Sequence, residues 1–409
     1  MTVPNTKARV AAAGTGVRPR PRAVLPALCA TQITSWGVLY YAFPVLNPAI
    51  TETTGWPAGA TTAAFSAALI VSAVVGIHVG RVLDRQGPRR IITAGSVLGP
   101  LSLLVVATAP SLAIFTAGWL LAGAAMAATF YPPAFAALTR WWAPDHIRAL
   151  TIVTLAGGLA STVFAPLTAV LADHYSWRTT YAVLAAVLAT VTLPAHALAL
   201  RVPWPPAPDA DPRHPAPGPD PARRSRAFWV LAATFTLSAF AMYAVVIALV
   251  PLFLERGYTT TQAAWALGLG GAGQTLGRTL YAALARHSGT ITRTATLVGL
   301  GGATTAAFAF VPGPFPLLVV LSVLAGIVRG NLTLLQATAV TDRWGITHYG
   351  RLSGLLGAPA HTAAALAPFA GTLITGPLGG YPALFAVLAA LSAVAAITAL
   401  GTRATPQEG

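Results

Sequence analysis

Two arginines stand inside long apolar runs. Arg278 closes "ALGLGGAGQTLGR" (266–278), and Arg329 is the one charge of "VLAGIVRGNLTLLQ" (323–336). A guanidinium is always ionised, and its planar fork of N–H groups grips a carboxylate with two parallel hydrogen bonds. Other polar residues recur around these arginines at the 3.6-residue spacing of one helix face. Gly270, Gln274, Arg278 and Tyr281 make one stripe, and Ser322, Gly326, Arg329, Thr333 and Gln336 make a second. Gln32, Trp36, Tyr40, Phe43 and Asn47 make a third. No Asp or Glu falls inside these runs, so the chemistry on offer is recognition of an anion. Catalysis would need a nucleophile with a base, or a metal with His and carboxylate ligands. The chain has no H-E-x-x-H, no G-x-S-x-G and one cysteine, Cys29. We expect no enzyme, no cofactor, no metal and no disulfide. Two bland readings stay open beside anion binding. Arg278 could reach a membrane interface with its long stem. Arg329 could brace its helix through carbonyls and through Asn331 or Thr333.

The elements that carry these residues follow from composition. Of 409 residues, 55% are hydrophobic and 9% are charged, whereas soluble domains carry about 25% charge. Twelve apolar runs cover 24–50, 58–80, 91–109, 112–137, 149–171, 179–200, 227–254, 261–284, 294–311, 317–340, 352–374 and 383–401. Each approaches the ~20 residues that cross a hydrocarbon core as a helix. Barrel strands would alternate in polarity, and these runs do not. The expected fold is an all-α integral membrane protein with twelve transmembrane helices.

Lys7, Arg9, Arg18, Arg20 and Arg22 crowd the N-terminal tail, and the even-numbered loops and C-terminal tail hold most other arginines. Only Arg178 and Arg256 lie on the other side. The positive-inside rule then places both termini in the cytoplasm. The net charge of +15 is this asymmetry spread over short loops, and does not suggest nucleic-acid binding. The first 22 residues are hydrophilic and the first run is too long for a signal-peptide core, so it reads as a retained helix. The predominance of Arg over Lys, with abundant Ala, points to a GC-rich bacterial genome and a bacterial inner membrane.

Residues 203–221 hold nine prolines, a density that no helix survives, and read as a cytoplasmic spacer. The expected units are a basic tail (1–22), a six-helix half (23–200), the Pro-rich linker (201–226), a second six-helix half (227–401) and a C-terminal tail (402–409). The halves resemble each other. Arg90, Arg140 and Arg148 find Arg293, Arg343 and Arg351 at one common offset of 203 residues. A duplicated six-helix unit is a known transporter architecture, with the site between the halves near the midplane.

"GRVLDRQGPRR" (80–90) joins the second and third runs. It resembles the loop signature of the major facilitator superfamily, through Gly80, Asp84, Arg85, Gly87, Arg89 and Arg90. In that family the motif forms an ion-pair latch at the cytoplasmic gate, which gives Asp84 the acidic role. "SWGVLYYAFPVL" (35–46), "GGLASTVFAPL" (157–167) and "QTLGR" (274–278) are similar to the monocarboxylate and oxalate–formate branch. That resemblance makes Arg278 a substrate-binding residue. Family helices one, four, seven and ten border the central cavity, which adds Tyr131 and Tyr243 as lining residues. Tyr40 and Gln274 replace the branch's proton-handling Lys and Asp, so the coupling ion is open. His361, inside the eleventh run, is the candidate coupling site. The resemblance implies a monomeric secondary transporter for a small organic anion, in contact with membrane lipid in the plasma membrane, with H⁺ as a possible coupling ion. The alternative is proton-coupled efflux of a neutral or acidic drug or natural product.

Overall fold

The computed structural model describes residues 21–142, 146–205, 225–344 and 349–402. The described residues are helical, joined by short turns. The first span is α1 (Val24–Trp36), a π-helical turn (Gly37–Tyr41) and α2 (Ala42–Thr54). Spans two and three are α3 (Ala58–Gln86) and α4 (Pro88–Thr108). The fourth is broken into α5 (Leu112–Thr129) and α6 (Tyr131–Trp141), and the fifth into α7 (His146–Gly158) and α8 (Ala160–His174). Span six is α9 (Trp177–Ala199). The second half runs through α10 (Arg226–Glu255), α11 (Thr260–His287), α12 (Thr290–Phe310) and α13 (Phe315–Thr338). After a short α14 (Thr341–Trp344) it ends with α15 (Tyr349–Leu378) and α16 (Tyr381–Leu400). Among the described residues, eight helical stretches are long and apolar enough to cross a membrane. The other spans are the first, α11, α12 and α15, which carry more Gly, Thr, Pro and Gln.

The two halves repeat one packing scheme. In the first, α3 packs on α5, α4 on α5 and α9, and α1 on α7 and α9. In the second, α11 packs on α13, α12 on α13 and α16, and α10 on α15 and α16. These are the same pairs six spans apart. The halves meet where α3 lies on α15 and α8 on α11, pairs that a two-fold exchange of the halves interconverts.

Two breaks have plain local causes. Pro132 and Pro133 open α6 at positions where a missing N–H costs nothing. A continuous helix would need N–H groups that Pro132 and Pro133 lack, and their rings clash with the carbonyls four residues back; Phe130, just ahead of them, is extended. In the first span the Ala42 N–H reaches the Gly37 carbonyl, an i→i+5 bond, which inserts one extra residue into the turn. Gly37 permits this packing because the Phe164 ring lies 2.2 Å from where a Cβ would stand.

The crossing of α11 and α13 is close enough to join backbones. Cβ atoms built on Gly273 and Gly277 would fall 2.2 and 2.1 Å from the carbonyl oxygens of Val323 and Ile327. Those on Gly326 and Gly330 would fall 1.9 and 2.1 Å from the carbonyls of Gly270 and Gln274. Small residues on both helices let dispersion act at this range, the main source of helix association in lipid. This corrects the expected α13 stripe. Ser322 and Gly326 face α11, and Gly270 faces Ser322.

The arginines of the terminus-free end cap helix ends. Arg178 donates to the carbonyls of Ala107 and Ala109 at 3.0 and 2.8 Å. Arg256 donates to those of Phe308 and Ala309. Helix C-termini carry unpaired carbonyls and partial negative charge, which explains two basic residues on the side otherwise poor in them. Burial lowers the Arg256 pKa below its ordinary value.

The head of the Pro-rich stretch is docked, which its composition did not predict. Trp141 Nε1 donates to the Pro203 carbonyl at 3.1 Å, and Arg140 lies 4.6 Å over the Trp204 ring. That ring also covers Gly87, whose φ of 80° favours glycine.

Candidate functional site

A cavity of about 130 Å³ lies between the halves. The first half supplies Trp36, Tyr40, Tyr41, Tyr131, Gly157 and Gly158; the second supplies Tyr243, Gln274, Arg278, Arg329 and Thr333, among others. Seven residues singled out from the sequence as substrate-binding therefore line one cavity: Trp36, Tyr40, Tyr131, Tyr243, Gln274, Arg278 and Arg329.

The first-half wall is aromatic. Trp36 stacks on Phe130 at 4.0 Å and 17°, with Tyr131 5.2 Å and Tyr40 5.6 Å away. Tyr40 closes the gap to the second half, 6.5 Å from Tyr243. The helix breaks make this wall. Tyr40 and Tyr41, both in the π-turn, line the cavity. The Phe130 break places Tyr131 at the first position of α6.

The same π-turn corrects the first stripe. Beyond it the register has shifted, and Asn47 lies with Phe43, Thr62 and Pro251 at a separate small cavity. Gln32 lies outside the cavity too. Its Nε2 donates to the Thr129 carbonyl at 2.7 Å, bracing the last turn of α5. Gln336 is half-buried on α13 and does not line the cavity. Tyr281 shares a hydrogen bond of 2.6 Å with Thr338, away from the site.

The two arginines differ. Arg278 is 8% exposed, so it does not extend its head to an interface. Its Nη1 donates to the Thr154 carbonyl in the last turn of α7, the negative end of that helix. Thr275 makes a longer bond to the neighbouring Leu155 carbonyl, 3.4 Å. Gly157 and Gly158 leave room for this contact. A Cβ on Gly157 would lie 2.2 Å from the Tyr131 hydroxyl, and one on Gly158 3.1 Å from Arg278 Nη1. Arg278 thus ties the halves together across the cavity floor.

Arg329 has no such tie among the described residues. Its Nε and Nη2 are buried without a hydrogen-bond partner. The expected braces do not hold these atoms: Asn331 Oδ1 is itself buried and unpartnered, and Thr333 Oγ1 turns to the Arg329 carbonyl. Arg278 Nε, Trp36 Nε1, Tyr40 OH and Gln274 Oε1 are also buried and unpartnered. The five unpartnered donors, of three chemical types, belong to residues that line one cavity, and no carboxylate lines it among the described residues.

The loop residues are placed less fully. Gly80, Arg85 and Arg89 are exposed, and the Asp84 side chain lies outside the described residues. Arg89 Nε donates to the Ala197 carbonyl of α9 at 3.3 Å, a contact within its own half. His361 is exposed on α15, away from the cavity wall. Sequence reasoning missed three contacts. The Phe369 N–H donates to Ser66 Oγ at 3.1 Å. Thr261 Oγ1 donates to Asp173 Oδ2 at 2.5 Å. Both join the two halves. The third is a buried trio in the first half, where His196 bonds Ser96 at 2.6 Å and Thr31 at 2.9 Å.

Two six-span halves around a polar midplane cavity define a transporter architecture. Comparison with known proteins makes this specific. Residues 28–316 match the model of the Major Facilitator Superfamily, and the chain belongs to that family. It is similar to monocarboxylate transporter 13 of Bos taurus, 35% identical over 105 residues, which is 25% of this chain and 24% of the relative. It is similar to the uncharacterized MFS-type transporter YcxA of Bacillus subtilis (strain 168), 28% identical over 127 residues and 31% of each chain. These matches span about a quarter to a third of the relatives' length. Among solved structures, a bacterial homolog of the human lysosomal transporter Spinster, inward-facing and unoccupied, aligns with a TM-score of 0.71. It is 16% identical, over 96% of this chain and 100% of that one.

Proposed function

We propose that the protein is a secondary transporter that carries a small organic anion of the monocarboxylate type by alternating access, and that it is not an enzyme. One observation carries this reading: Arg329 and Arg278, each with buried N–H groups that no described residue accepts from, line a cavity between the halves where no described carboxylate balances them. Burying a guanidinium without a partner is costly, so a carboxylate from outside is the natural complement. The aromatic wall of Trp36, Tyr40, Tyr131 and Tyr243 suits the apolar body of such an acid and adds N–H and O–H donors. The partial likeness to a monocarboxylate transporter supports the same substrate class. The location is a multi-pass protein of the bacterial plasma membrane with both termini cytoplasmic, on the charge asymmetry of its loops.

The test is a thermal-stability screen of purified protein against lactate, benzoate, succinate and neutral amides of the same acids, followed by uptake into proteoliposomes. The expected result is stabilisation by at least one acid and by none of the amides, with saturable uptake of that acid. Equal stabilisation by acid and amide would overturn the anion reading.

A further inference from the structure

Arg329 borders a second space. A smaller cavity of about 50 Å³ shares Arg329 and Met242 with the central one, and is otherwise walled by Ser238, Thr304, Thr305 and Ser392 among its polar residues. Three of its four hydroxyls are already committed as donors. Thr304 and Thr305 both donate to the Gly301 carbonyl, at 3.0 and 2.8 Å, and Ser392 to the Leu388 carbonyl at 2.9 Å. What these oxygens have left is lone pairs. The pocket therefore offers acceptors, which repel an anion and suit a guanidinium or the waters around one. Its volume admits a few waters.

The walls of the two cavities behave differently in a rocking mechanism. The side pocket is built from α10, α12, α13 and α16, all in one half, so it survives any rigid-body tilt. The central cavity draws its walls from both halves and is taken apart at each turn of the cycle. An empty carrier that closes on Arg329 strips water from a lone charge. A loaded carrier does not face this barrier, because the bound anion neutralises it.

We propose that Arg329 has two stations, turning to the substrate anion when the carrier is loaded and into the acceptor-lined side pocket when it is empty, so that the unloaded protein can reorient. This rests on the anion reading above. It assigns Ser392, Thr304 and Thr305 as positioning residues for net transport, and makes the carrier competent for net flux as well as exchange.

The test compares two rates in the same proteoliposomes, using the acid that the stability screen selects from lactate, benzoate and succinate. Exchange is read as labelled acid entering vesicles preloaded with the same acid. Net flux is read as entry into vesicles without it. The triple variant Thr304→Val, Thr305→Val, Ser392→Ala keeps shape and removes the acceptors. We expect exchange within twofold of wild type and net flux reduced tenfold or more, with Ser392→Ala alone shifting the ratio in the same direction. Exchange serves as the folding control. Both rates unchanged, or both lowered in proportion in the triple and the single variant, would overturn the two-station inference alone. A wild-type protein that moves none of the acids overturns the anion reading and this inference with it.

Discussion

Replacing Arg329 by Gln separates binding from bracing. The guanidinium presents two buried, unpartnered donors, Nε and Nη2. A hydrogen bond to a charged group contributes about 1.5–3 kcal/mol. Losing two parallel bonds to a carboxylate therefore removes roughly 3–6 kcal/mol, and every 1.4 kcal/mol is about tenfold in affinity. The residue is only partly buried, so water recovers part of this and the lower end applies: about a hundredfold weaker binding. Arg329→Lys keeps the charge without the fork, and should lose about tenfold through one bond. The assay is differential scanning fluorimetry in detergent with the selected acid titrated in, alongside calorimetry for Kd. Wild-type Kd in Arg329→Gln would refute the assignment.

Three further perturbations follow from distances. Gly158→Ala sets a Cβ 2.7 Å from Thr275 Oγ1 and 3.1 Å from Arg278 Nη1, and should weaken anion binding about tenfold by displacing the guanidinium, while Gly76→Ala, with nothing within 4 Å, should leave Kd unchanged. Gly326→Ala drives a Cβ to 1.9 Å from the Gly270 carbonyl, and overpacking of about 1–3 kcal/mol should appear as a lower Tm; an unchanged Tm would mean that α11 and α13 are not in backbone contact. Ser66→Ala and Asp173→Asn each weaken a cross-half hydrogen bond of about 0.5–1.5 kcal/mol, which should shift the carrier roughly twofold to tenfold toward the state open at the terminus-free end, read as faster labelling of a cysteine placed at Thr62 in a Cys29→Ser background; no change in labelling would show that neither bond holds that end closed.

The twelve spans were legible because apolar length is a strong signal and helices are the shape that satisfies a backbone in lipid. The arginines were legible for the opposite reason: a charge in such a run is conspicuous. Helix-face periodicity was less reliable. It assumed 3.6 residues per turn through residues 32–47, and one π-turn at Gly37–Tyr41 was enough to separate Asn47 from Tyr40 and to add Tyr41. On α13 the stripe mixed two duties, since a 100° sector spans both the α11 contact at Gly326 and the cavity at Arg329. Periodicity reports that a face is not lipid-like, and does not say whether a helix or a void lies opposite. The docking of Pro203 and Trp204 had no periodic signature at all, because it depends on a single indole meeting Gly87 and Arg140.

The placement of the charges has a mechanical consequence. Arg278 and Arg329 sit on α11 and α13, and the glycine crossing fixes those helices backbone to backbone. Both arginines therefore move as one body with the second half, and the distance between them changes little as the halves tilt. What changes is their distance to the first half. The first-half atom that Arg278 holds is the Thr154 carbonyl, so that bond is part of what keeps the halves together at the cavity. An anion bound through the free Arg278 Nε draws the guanidinium toward Arg329 and away from Thr154. Substrate binding then loosens a cross-half tie at the moment it neutralises the charge that opposes closure. The two effects act in one direction, and both come from placing the cations on one half and their backbone partner on the other.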